Sequence, residues 1–126
     1  MSCVKRGVIC IPKGDGRKVV ATAWDRDGDE VDISGATAID FIVAIGQKIS
    51  TNMWSGGDGV IVKRLGSGIT KAGNAWQFII TFLPEDTADL IMTEYYWEAR
   101  VTIGDMPVTV GCGSFLTQNT QIKDLV

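Results

Sequence analysis

Trp76-Gln77-Phe78-Ile79-Ile80-Thr81-Phe82 places its bulkiest side chains, Trp76, Phe78, Ile80 and Phe82, at every second position. Successive side chains of a strand point to opposite faces, so this spacing describes a β-strand with one face in a core. Downstream, residues 94–103 repeat the pattern: Tyr95, Trp97, Ala99, Val101 and Ile103 alternate with Tyr96, Glu98, Arg100 and Thr102. Upstream, residues 36–45 set Ile39, Phe41 and Val43 on one face and Asp40, Ile42 and Ala44 on the other. A helix would bring apolar residues back at three- and four-residue steps, and these stretches follow a step of two.

The rest of the chain fits around these strands. Residues 4–11 and 17–24 are β-branched runs on either side of Pro12-Lys13-Gly14-Asp15-Gly16, which suits a hairpin loop or a longer connection. Asp25-Arg26-Asp27-Gly28-Asp29-Glu30 centres on an Asp-Gly pair and predicts a hairpin leading into Val31-Asp32-Ile33. A strand is expected over residues 60–65, a turn-rich connection over 66–74 and a last strand over 108–116. Pro84-Glu85-Asp86-Thr87-Ala88 predicts one short helical turn, with proline tolerated at a first helical position and acidic residues favoured in the first turn. Seven or eight short strands with turns between them predict an all-β protein, an antiparallel β-sandwich spanning residues 1–117, with 118–126 as an extended tail. Its expected core is Trp24, Phe41, Val43, Val62, Trp76, Phe78, Ile80, Tyr95, Trp97, Val101 and Val110.

Composition narrows the function. The 126 residues suit a single domain. The chain has no histidine, which removes imidazole bases, Ser-His-Asp and Cys-His constellations and histidine metal ligands. A net charge of -3 disfavours a protein that grips nucleic-acid phosphates. No window approaches about 18 apolar residues, so no membrane role is expected and synthesis is expected in a cytosol. Cys3, Cys10 and Cys112 have no CxxC spacing and are read as free apolar residues, with a Cys10–Cys112 bridge as the lesser option.

The carboxylates of residues 25–32 miss the spacing of a calcium loop, since Gly28 comes fourth and Ala36 twelfth, and they read as a solvated turn. Gly56, Gly57, Gly59, Gly66 and Gly68 match neither a P-loop nor a dinucleotide fingerprint. Glu85, Asp86, Asp89 and Glu94 read as a polar helix start. No catalytic residue, cofactor or metal is therefore expected. The candidates for partner contact are Asn52, Met53 and Trp54 in the glycine-rich loop 47–59, Tyr96 on the outer face of its strand, and Gln118, Asn119, Ile122 and Leu125 in the tail. An exposed Trp54 suits an interface because it offers large apolar area at small rotamer cost. Trp54 or Tyr96 would also suit a carbohydrate-stacking platform.

Four segments carry a resemblance: Val31-Asp32-Ile33-Ser34-Gly35-Ala36-Thr37-Ala38-Ile39, Val62-Lys63-Arg64-Leu65-Gly66-Ser67-Gly68-Ile69, Phe82-Leu83-Pro84-Glu85-Asp86-Thr87-Ala88 and Tyr95-Tyr96-Trp97-Glu98-Ala99. They resemble small tailed-bacteriophage virion proteins, in particular the immunoglobulin-like N-terminal domain of phage baseplate upper and fibre-adaptor proteins. Met92-Thr93-Glu94 stands where that pattern often carries a glycine. The resemblance covers residues 19–117. It implies an immunoglobulin-like sandwich and a non-enzymatic structural role in the virion, after synthesis in the host cytoplasm. The implied partners are other tail, fibre or capsid proteins and further copies of the chain. A tail-side adaptor is the leading expectation, and a head decoration protein the other.

Overall fold

The computed structural model describes residues 6–45, 59–91 and 93–118. They form eight strands: β1 (Arg6–Pro12), β2 (Arg17–Thr22), β3 (Ala36–Ala44), β4 (Ile61–Leu65), β5 (Gly68–Lys71), β6 (Gln77–Phe82), β7 (Glu94–Ile103) and β8 (Met106–Gln118). The expected helical turn is α1 (Pro84–Ala88), between β6 and β7. The protein is all-β as its alternation requires, with the strands in the order β1-β8-β7-β3-β4-β5-β6-β2.

These strands join into one sheet that curls nearly into a barrel. The sheet is mixed rather than purely antiparallel, because β1 runs parallel to β8 and β4 parallel to β5. The β4–β5 link is only two residue pairs wide, Arg64 with Gly68 and Leu65 with Ile69. Here the chain turns a corner through Gly66 and Gly68 at φ +87° and +100°, left-handed values that suit glycine. A Cβ on Gly68 would lie 2.6 Å from the Lys63 side chain.

The core holds Ile39, Phe41 and Val43 of β3, Phe78, Ile80 and Phe82 of β6, and Tyr95, Trp97, Ala99 and Val101 of β7. Phe41 is its aromatic hub: it meets Phe82 edge-on at 5.6 Å and stacks on Trp97 at 5.7 Å between ring centres. Val110 is buried where β8 shifts register against Ala99 and Arg100.

Three residues of the expected core are not in it. Val62 is 37% exposed because β4 turns Ile61 and Lys63 inward instead, Lys63 reaching Asp86 of α1 at 2.6 Å. Trp76 is 38% exposed: it stands in the bend before β6, its N–H donating to Asn74 Oδ1, so the pleat that buries Phe78 starts after it. Trp24 is half-buried, because its backbone leaves the end of β2 to reach across to β8.

Other expectations also shift. Residues 31–33 form no strand; the turn at 25–30 closes with a single bridge between Trp24 and Glu30. Part of the expected connection at 66–74 is instead β5. Cys112 is disulfide-bonded and Cys10 is free, so the cysteines are not all free and no Cys10–Cys112 bridge forms.

Candidate functional site

The two ends of the sheet order, β1 and β2, are consecutive in the chain and joined by a four-residue loop, yet they do not pair. β1 takes its ladder from β8 and β2 from β6. The loop is fixed from outside the seam: Asp15 N–H donates to the Pro12 carbonyl at 3.1 Å, and Gly14 N–H to the buried Thr87 hydroxyl of α1 at 3.0 Å. An added Cβ on Gly16 would touch the Pro84 ring at 3.4 Å. With loop and helix locked together, the two strands diverge into different parts of the sheet.

The ladder tells which backbone groups face the gap. Ala23 N–H donates to the Trp76 carbonyl at 2.9 Å, which puts residues 17, 19, 21 and 23 on the β6 side. In an antiparallel pair alternate residues direct their N–H and C=O groups to opposite edges, so Lys18, Val20 and Thr22 direct theirs into the seam. Among the described residues the backbone bond that crosses to β8 is Trp24 N–H to the Val110 carbonyl, 3.0 Å, at one end.

Between the strands lies a cavity of about 260 Å³, walled by Gly7, Val8 and Ile9 on one side and Val19, Val20, Ala21 and Thr22 on the other. Trp24, Trp97 and Gly111 complete its lining. Trp97 reaches it from β7, and its indole N–H donates to the Gly7 carbonyl at 2.9 Å. Glycine at 111 leaves room for that ring, since a Cβ there would lie 3.0 Å from it. Val8 is 69% and Val20 57% exposed on the rim. Lys13, Arg17 and Lys18 surround the loop end; one carboxylate, Asp15, stands among them, 3.5 Å from Arg17.

A second polar cluster lies on the outer side of β3, β4 and β7. Buried Asp40 accepts from Arg64 at 2.8 Å, and Arg100 stands 3.9 Å away. Tyr96, half-buried on this face, donates its hydroxyl to Glu98 Oε1 at 3.1 Å. Burial pushes the Glu98 carboxyl above its ordinary value, against the opposing pull of the Tyr96 hydrogen bond and the Arg100 charge.

The carboxylates of the 25–32 turn satisfy the backbone. Asp25 Oδ1 accepts the N–H groups of Asp27 and Asp29, each at 2.9 Å. Asp32 accepts the Ser34 hydroxyl at 2.6 Å and its N–H at 2.9 Å, which hold its carboxyl below the ordinary range. Among the described residues no group of three or more cysteine, aspartate or glutamate side chains could hold a metal ion.

Of the residues expected to contact partners, Tyr96 lies on the outer face as its alternation requires, tied to Glu98 and away from the seam cavity. Gln118 ends β8, paired with Pro12 at the loop end of the seam. Asn52, Met53, Trp54, Asn119, Ile122 and Leu125 lie outside the described residues. The seam itself was not anticipated. Its sequence signal is a pair of β-branched runs, residues 4–11 and 17–24, whose intervening loop suits a hairpin or a longer connection equally well.

No protein-family model matches the chain, and no curated protein matches it. The geometry of the site therefore stands alone.

Proposed function

We propose that the chain is a non-enzymatic assembly module of a tailed-phage virion, an immunoglobulin-like sandwich that joins other virion proteins through its sheet edges. The narrow Gly66–Gly68 corner supports the sandwich. It divides the strands into a leaf of five, β1-β8-β7-β3-β4, and a leaf of three, β5-β6-β2. That division resembles an immunoglobulin arrangement in setting the second, fifth and sixth strands opposite the third, seventh and eighth, and departs from it at β1, which pairs with β8 instead of lying beside β2. Two of the segments that carry the phage resemblance supply corners here: Gly66-Ser67-Gly68 between the leaves, and Pro84-Glu85-Asp86-Thr87-Ala88 as α1.

The observation that carries the role is the seam, an exposed apolar rim beside strand groups that no neighbouring strand uses among the described residues. Unpaired strand edges template pairing with another chain, and natural proteins block them unless pairing is their use. A disulfide at Cys112 fits a protein that works on a virion surface after its synthesis in the host cytoplasm.

Quantitative mass spectrometry of particles purified from the phage that encodes this chain tests the reading. A few copies per particle support the tail-side role, and hundreds support head decoration. Absence from washed, intact particles overturns both.

A further inference from the structure

Among the described residues β2 has no neighbour on one side, and three features of that edge describe what would complete it. The first is its hydrogen-bonding pattern: Lys18, Val20 and Thr22 offer donors and acceptors at every second residue, and the ligand that matches such a row is an extended main chain. The second is size. At about 260 Å³ the cavity beside them is below the roughly 300–1,000 Å³ of small-molecule sites and suits one large apolar side chain. The third is charge. Residues 13–18 carry a net +2 on a chain whose net charge is -3.

We infer that the seam receives an extended, acidic segment of a different polypeptide. Its main chain pairs with Lys18, Val20 and Thr22, a bulky apolar residue enters the cavity over Trp97, and its carboxylates meet Arg17 and Lys18. The inference deepens the assembly reading and rests on it for the partner being a virion protein.

Two synthetic nonapeptides with a central phenylalanine test it on the full chain, one otherwise alternating valine with glutamate, the other valine with lysine, with binding read by fluorescence anisotropy and amide exchange by NMR. The glutamate peptide should bind about tenfold more tightly than the lysine peptide, a difference of about 1.4 kcal/mol. It should also slow exchange at the Lys18, Val20 and Thr22 amides. Val20→Pro removes an N–H that faces the seam and leaves the β2–β6 bonds intact, so it should weaken the glutamate peptide about tenfold. The surface double variant Arg17→Glu, Lys18→Glu needs no backbone change and should reverse the peptide preference.

Equal binding of both peptides, binding of neither, or unchanged exchange at those three amides overturns the inference. So does self-association of the wild type that Val20→Pro abolishes, since the occupant would then be a second copy. If Val20→Pro enters particles as the wild type does, the seam fails while the assembly reading survives. If the wild type is absent from particles, the assembly reading fails while the peptide result stands.

Discussion

The indole N–H of Trp97 donates to the carbonyl of Gly7 at 2.9 Å, joining the core of β7 to β1 across 90 positions of sequence. The same ring stacks on Phe41, so the bond ties the rim of the seam to the aromatic hub. Trp97→Phe keeps the stacking and leaves the Gly7 carbonyl without this donor. Equilibrium urea unfolding should show a loss of about 1–3 kcal/mol. Trp76→Phe, at a half-exposed bend, should stay within about 0.5 kcal/mol of the parent.

Glycines make this contact possible. A Cβ on Gly113 would run into the Gly7 carbonyl, and one on Gly111 would press on the Trp97 ring at 3.0 Å. Gly113→Ala must force β1 and β8 apart and should cost more than Gly111→Ala, which overpacks the ring by about 1–3 kcal/mol. Gly35→Ala meets nothing within 4 Å and should be near neutral. Thermal melts of the three variants give the ranking, and an equal loss at 35 and 113 would contradict it.

Lys63 and Asp86 form a poorly solvated pair at 2.6 Å, and the same Asp86 oxygen accepts the Leu83 N–H at 2.7 Å at the start of α1. Removing one partner strands the other. Lys63→Met and Asp86→Asn should each cost about 3 kcal/mol, and the double variant less than the sum. A double-mutant cycle with no coupling would show that the pair is dispensable.

Glu98 gives a pH dependence of definite sign. Its carboxyl sits above the ordinary value of 4.5 because of burial, so the folded chain holds this proton more tightly than the unfolded chain. Its contribution to stability therefore falls as pH rises from about 4.5 through the folded value, and is level below that range, where both states are protonated. Glu98→Gln keeps an oxygen for the Tyr96 hydroxyl and removes the titration. It should be more stable than the parent above that range and converge with it in acid, as urea midpoints across pH would show.

Alternation made most of the sheet readable in advance. Phe78, Ile80 and Phe82 of β6 and Tyr95, Trp97 and Val101 of β7 are buried where period two put them, and Pro84 starts its helical turn. Alternation fails where a side chain's direction is set from outside its own strand. Lys63 turns inward for Asp86, 23 positions away, and reverses the phase expected for Val62. Which strands are neighbours is a different kind of information. The pairing of β1 with β8 rather than β2 depends on Thr87 holding the loop at Gly14 and on glycines that let Gly7 approach Gly113, contacts between distant segments that no local pattern encodes. The candidate site is made by that choice of neighbour, so it was the least legible part of the chain.

The parallel ladder between Arg6–Pro12 and the end of β8 joins residues 106 positions apart. During synthesis β1 emerges before its partner and must wait, unmatched, until β8, the last of the described strands, has left the ribosome. Such distant closure makes for slow folding, on the millisecond-to-second scale of β-rich domains, and leaves the nascent chain's first strand exposed to other polypeptides throughout that delay.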